Sequence, residues 1–212
     1  FSNVDMTKEP LPIRPGMHYQ MGGVKTDNDG RCWDISGNGW GGVRGLFAAG
    51  EAACVSVHGG NRLGANSLLD TVVYGKRSGL AASAFAKDTS SKDFPSSIIS
   101  KDENMIKSLL SRKDNKDSVA AIRLEMGTMM NEHLAVYRDQ KGMEATLTKI
   151  RSLRERWKEV PVRNKGRIFN TTLINAMELG FMLDCAEAII VSAIFRKESR
   201  GAHVRLDFPA RD

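Results

Sequence analysis

Cysteine, proline, histidine and aromatic residues are all scarce in this chain. Among 212 residues there are 3 cysteines, 6 prolines and 4 histidines, and Phe, Trp and Tyr together make up 7%. Cys32, Cys54 and Cys185 are an odd number set far apart, which suits neither a disulfide framework nor a zinc site. They fit a reducing compartment, and no metal site is expected. No apolar run approaches the roughly 20 residues that a bilayer span needs. No secretory signal is visible at the first residues, which a shortened chain could not show. A formal net charge of +6 raises nucleic acid as a partner, but the 31 basic residues are dispersed among 25 acids, as from Arg151 to Glu159. Without a basic face, nucleic acid is excluded as a partner.

What is present is a hydrophobic content of 41%, enough for a core, arranged in two unlike regions. From Pro12 to about Ala86 the sequence is Gly-rich, with short β-like runs and one helix expected from Asn66 to about Ala86. Residues 87–101, with Thr89-Ser90-Ser91-Lys92 and Pro95-Ser96-Ser97, have the composition of a linker. From Asp102 onward there is no strand signal. Val119, Ile122, Met126, Met129, Met130 and Leu134 recur at three- and four-residue steps and predict a helix from Ser118 to about Arg138. Leu147, Ile150, Leu153 and Trp157 predict another from Gly142 to Lys158. Asn170 to about Arg196 is apolar over more than one stripe, which predicts a central helix flanked on several sides. The expected class is α+β: a Gly-rich α/β part over residues 1–86, a linker, and an antiparallel helical bundle over 102–212.

Candidate chemistry concentrates in His58-Gly-Gly-Asn-Arg62-Leu-Gly-Ala-Asn66-Ser67-Leu68-Leu69. Arg62 lies among small residues, where a planar carboxylate can reach the guanidinium with two parallel hydrogen bonds. Asn66 and Ser67 then open the apolar run to Tyr74 with residues that cap helices. Such a helix start has free N–H groups and a positive dipole pole, and attracts anions. His18 offers a titratable donor before the Gly22-Gly23 pair. Gly45 to Glu51 reads as a short buried strand ending in a glycine and a carboxylate, a position suited to ribose or ribityl hydroxyls. Gly37-Asn38-Gly39-Trp40-Gly41-Gly42 matches G-x-G-x-x-G literally. It has no hydrophobic strand before it and no helix after it, so it is read as a loop or hairpin tip.

The ordered set HYQMGG, GLFAAGEAACVSVHGGNRLGANSLLD and RKESRGAHVRLDFPARD resembles the flavoprotein subunit of succinate dehydrogenase and fumarate reductase, with L-aspartate oxidase as a near relative. The resemblance runs from about Pro12 to Asp212 and implies the later part of such a subunit, with the FAD pyrophosphate site and most of the capping domain in an earlier part. It implies an FAD-binding domain ending near residue 86, followed by a helical domain. It also implies roles: His18 and Arg62 as catalytic residues gripping the carboxylates of succinate or fumarate, with His58 at the substrate site or ordering its loop. Glu51 would bind the FAD ribityl chain, Ser67 and the Leu68 N–H would face the flavin's pyrimidine edge, and Asn66 would bind the cofactor at the helix start. Hydride would pass between substrate and flavin N5, and electrons onward to an iron-sulfur subunit and membrane anchor subunits. The subunit would sit peripherally on the cytoplasmic face of the inner membrane or the mitochondrial matrix side.

Within that resemblance, Gly60 stands where the family usually has Ala, and Val204 replaces a common aromatic. Phe181 to Glu187 and Arg196 to His203 favour succinate dehydrogenase over L-aspartate oxidase. The alternatives are an aspartate oxidase-type FAD enzyme, or a non-catalytic piece serving as scaffold. By itself the chain is expected to be inactive. His133 is expected to be structural, His203 to belong to a packing element, and Met126, Met129 and Met130 to fill the core.

Overall fold

The computed structural model describes residues 4–11, 16, 18–34, 36, 43–90 and 93–211, together with the backbone of residues 39 and 40. Two compact units divide the chain, Phe1–Thr89 and Ser90–Asp212.

The first unit joins very short strands to one long helix. β1 (Val24–Lys25) pairs in parallel with β4 (Ala53–Cys54), and β2 (Trp33–Asp34) pairs antiparallel with β3 (Gly39–Trp40). The β2–β3 pairing makes the glycine-rich stretch a hairpin; its Gly37, Asn38, Gly41 and Gly42 lie outside the described residues. Gly45 to Glu51 is not the strand that its apolar run suggested. Phe47 makes one isolated bridge to Arg31, Leu46 is exposed, and the segment winds into a 3-10 turn over Gly50–Ala52. The run lacks a continuous partner strand, and Gly50 has φ +68, which breaks extended backbone.

Helix α1 (Asn66–Lys87) fills the rest of this unit and packs on the 3-10 turn. A Cβ on Gly50 would stand 2.9 Å from Thr71 Cγ2, so glycine permits both the left-handed backbone and the close approach to the first turns of α1. Asn66 and Ser67 do not cap the helix. They are its first residues, and the cap position falls to Ala65, which is left-handed at φ 66 and has no side-chain cap bond.

The second unit is helical: α2 (Ser96–Ser111), α3 (Val119–His133), α4 (Gln140–Glu159) and α5 (Thr171–Phe195). Its core joins Ile122 and Met126 of α3, Met143, Ile150 and Leu153 of α4, and Leu179, Leu183 and Ile190 of α5. Leu109 of α2, Val162 and Ala176 form a smaller cluster beside it. Side-chain caps set the three starts: Ser118 accepts from the Ala121 N–H, Asp139 from Gly142 and Asn170 from Leu173. α5 is central, as its wide apolar surface predicted, with α2, α3 and α4 all in contact.

Two features of this unit were not expected. α2 begins inside the polar segment assigned to a linker, its Leu109 buried against the chain after α4. The helix predicted from Ser118 stops at His133 rather than near Arg138. Tyr137–Arg138 forms β5, paired in parallel with β6 (Val204–Arg205), with the Val204 N–H donating to Val136 O at 3.1 Å and the Leu206 N–H to Arg138 O at 2.8 Å. A partner more than sixty residues away takes this backbone out of the helix.

Arg205 is wholly buried (0% exposed) and closes this end of the unit. Its Nη1 donates to the carbonyls of Ala193, Ile194 and Arg196, while Nε and Nη2 bind Asp207 and Nη2 also reaches Gln140 Oε1. The side chain thus caps the carboxyl end of α5, where the last carbonyls lack helical partners. Arg205 in turn holds the Asp207 carboxyl down at about 2. His203 lies beside it with Nδ1 2.9 Å from Arg138 Nη1 and Nε2 2.9 Å from Arg196 O. A guanidinium only donates, so Nδ1 accepts and the ring carries its proton on Nε2. Burial, with Arg138, Arg196 and Arg205 around it, keeps His203 below the usual histidine range.

Candidate functional site

Five polar side chains of the first unit converge where the segment His18–Gln20, the loop His58–Arg62 and the start of α1 meet. Arg62 Nη2 lies 3.2 Å from His18 Nδ1, across 44 residues of sequence. Arg62 Nη1 donates to Leu63 O at 2.8 Å, which turns the guanidinium back over its own loop. Because Arg62 only donates, His18 Nδ1 accepts, and the proton of the neutral ring is on Nε2. His18 is exposed and Arg62 half-buried, so the pair is open to a ligand on one side.

Beneath this pair is a layer in which sequence reasoning assigned His58 but neither Tyr19 nor Asp70. The Tyr19 ring lies under Arg62, with the guanidinium carbon 5.0 Å from the ring centroid, a cation–π arrangement. The Tyr19 hydroxyl donates to Asp70 Oδ2 at 2.6 Å, and His58 Nε2 is 2.9 Å from the same oxygen. Tyr19 also meets the His58 ring edge-to-face, centroids 5.4 Å apart. Tyr19 and Asp70 are buried, at 7% and 5% exposure. Burial first, then the Asp70 carboxylate, pushes the Tyr19 hydroxyl up to about 12, so it remains a donor through the working pH range. His58 Nδ1, Arg62 Nε and Asp70 Oδ1 are buried without a partner among the described residues. An acid inside an apolar helical run, Leu68-Leu69-Asp70-Thr71-Val72, was the signal available for Asp70. Tyr19 showed only its adjacency to His18.

Glu51 reaches the same region from the 3-10 turn, its Oε1 accepting the Gln20 N–H at 2.8 Å. It therefore ties the 3-10 turn to the segment that carries His18. At the start of α1 the Leu68 N–H, expected to face a ligand, donates instead to Ala65 O at 3.2 Å, and its side chain is exposed. Asn66 and Ser67 are half-buried in the first turn, which contains no acidic residue. His133 and His203 are not here; both belong to the second unit. Among the described residues no group of three His, Cys, Asp or Glu could hold a metal ion. Cys32, Cys54 and Cys185 are all free thiols.

A model of the FAD binding domain matches residues 1–68, and a model of the fumarate reductase flavoprotein C-terminus matches residues 123–212. The succinate dehydrogenase flavoprotein subunit of Rickettsia bellii is 42% identical over 100% of this chain and 36% of its own length. The fumarate reductase flavoprotein subunit of Haemophilus influenzae is 40% identical over 100% of this chain and 34% of its own. The chain is homologous to these flavoprotein subunits. It spans about a third of the length of the curated relatives it matches. A solved E. coli quinol fumarate reductase chain superposes with a TM-score of 0.85 at 40% identity, covering 99% of this chain and 35% of that one. The mixed architecture, helices with small sheets, is therefore similar to that of the matched part of this fumarate reductase chain.

Proposed function

We propose that this chain supplies the dicarboxylate clamp and one wall of the flavin site in a flavoprotein subunit that interconverts succinate and fumarate. The observation that carries the reading is the juxtaposition of Arg62 and His18 at 3.2 Å, half-exposed beside an uncapped helix start. In this reading the guanidinium receives one substrate carboxylate, and the His18 Nε2–H donates to the other or to the same group. FAD, when bound, supplies the hydride acceptor or donor. Three features suit it: Glu51 presents a carboxylate on an exposed turn, the first turn of α1 carries no acid, and buried polar atoms beside the clamp lack partners among the described residues. The helix start directs partial positive charge to where a reduced flavin carries negative charge. In this reading Ser67, with Asn66 beside it, meets the pyrimidine edge.

The helical unit is read as an antiparallel bundle, on a subunit that passes electrons to an iron-sulfur partner and a membrane anchor, peripheral to the inner membrane. Residues 1–86 are read as the flavin-domain part and 102–212 as the helical domain, and the start of α2 at Ser96 shortens the joint expected over 87–101.

The test is Arg62→Lys in the full-length subunit. Lysine retains the charge but not the two-pronged geometry. FAD content should be unchanged, and turnover of succinate should fall by about 100-fold, the effect of losing a charged contact of roughly 2–3 kcal/mol. Undiminished turnover would overturn the clamp, and oxidation of aspartate in place of succinate by the wild type would favour the aspartate oxidase reading.

A further inference from the structure

We propose that Tyr19, anchored on Asp70, is the positioning residue that holds His18 and Arg62 in register for a dicarboxylate. The proposal rests on the reading of His18 and Arg62 as the clamp and adds what sets their geometry.

Arg62 is held at three places. Nη1 meets the Leu63 carbonyl, Nη2 meets His18, and the face of the guanidinium rests over the Tyr19 ring. The Leu63 contact is one residue away in the chain and moves with the loop. The other two both depend on Tyr19, since His18 is its neighbour and the ring lies under Arg62 itself. Whatever fixes Tyr19 therefore fixes both halves of the clamp.

Asp70 provides that anchor. Its Oδ2 accepts the Tyr19 hydroxyl at 2.6 Å and lies 2.9 Å from His58 Nε2. It sits in the second turn of α1, where backbone position is set by the helix and not by a mobile loop. His58, at the other end of the loop from Arg62, is thereby tied to the same oxygen. One buried carboxylate holds both the segment bearing His18 and the loop bearing Arg62. Rigid support of this kind matters because a misplacement of about 1 Å in a substrate-holding group costs on the order of 100-fold in rate. In water, an arginine and a histidine on separate loops would not hold a separation near 3 Å; the low-dielectric layer beneath them strengthens each of these bonds.

The test uses the full-length subunit loaded with FAD, with malonate as probe and the flavin absorbance change as readout. Tyr19→Phe keeps the ring under Arg62 and removes only the bond to Asp70. It should weaken malonate binding about fivefold or more per bound flavin, and raise KM for succinate more than it lowers kcat. Asp70→Asn keeps an acceptor oxygen for both donors and should remain within about twofold of wild type, whereas Asp70→Ala should lose about tenfold or more. A merely structural role would lower FAD content or melting temperature and leave the malonate Kd per flavin unchanged; that result in Tyr19→Phe overturns the proposal. Should Asp70→Ala fail to retain flavin, Tyr19→Phe still decides. If wild type gives no malonate response, the clamp reading fails; a normal wild-type response with an unchanged Tyr19→Phe sinks the positioning role alone.

Discussion

Single residues carry more of this structure than their chemistry suggests in isolation. Arg205 would read as a surface charge, yet it is fully buried and satisfies three carbonyls at the end of α5 together with Asp207 and Gln140. Arg205→Met should destabilise the second unit by about 3–5 kcal/mol, because it takes the donor from the Ala193 and Ile194 carbonyls and the cation from beside Asp207. A urea titration followed by circular dichroism measures this. His203 gives a pH dependence. Its pKa is lowered in the folded state by burial and by neighbouring arginines, so the unfolded chain binds the proton more readily. Stability is fully present above the unfolded value of about 6.5 and declines as pH falls below it, toward the folded pKa. The urea midpoint should therefore drop as pH falls below about 6.5, and His203→Gln should flatten that slope; an equal slope in both proteins would show that His203 is not its source.

At the scale of elements, the contact between α4 and α5 depends on a missing side chain. A Cβ on Gly180 would stand 2.6 Å from Trp157 Cζ2, and the Trp157 indole N–H donates to Ala176 O at 2.7 Å on the same helix. Gly180→Ala gains helix propensity of up to about 1 kcal/mol, but overpacking of about 1–3 kcal/mol opposes it. The expected result is a net loss in thermal stability with a shifted Trp fluorescence maximum, and a stabilised variant would show that the indole moves aside at little cost. The element scale is also where sequence patterns stopped being sufficient. Ser118 and Asn170 were legible as helix starts, and each bears a local cap bond, whereas α4 starts after Asp139, before the expected Gly142. The end of α3 was not legible, since β5 exists only because β6 lies beside it.

For the whole molecule, the two units differ in how much core they own. Both hydrophobic clusters lie in Ser90–Asp212. The first unit buries Tyr19 and Cys32 but exposes Leu63, Leu68, Leu69, Val72, Val73 and Leu80. An apolar helix face of this kind cannot by itself offset the conformational entropy of folding. Residues 90–212 expressed alone should give a helical spectrum and one cooperative melting transition, whereas residues 1–89 alone should show no such transition. A cooperative 1–89 would mean that its short strands and polar site suffice without a core. By the same reasoning the 212-residue chain should bind FAD weakly or not at all in a fluorescence titration, and tight binding would place most of the flavin site within it.

Residue order by itself determined where α1, α4 and α5 run, that α5 is central, and that chemistry gathers around His58 to Leu69. Those follow from local periodicity and from residue types whose reactivity does not depend on context. The resemblance to the flavoprotein subunits likewise rests on ordered motifs, and comparison with relatives at 40–42% identity supports it. Only the tertiary structure decided that Gly45 to Glu51 is no strand, that Ala65 rather than Asn66 precedes the helix, and that Arg205 is buried. It alone brought Tyr19 and Asp70, 51 residues apart, to 2.6 Å. A hydrogen bond between distant residues leaves no periodic trace in a single chain, because either side chain taken alone is at home in many settings; the pairing becomes visible only once the backbone has folded and water has been excluded between them.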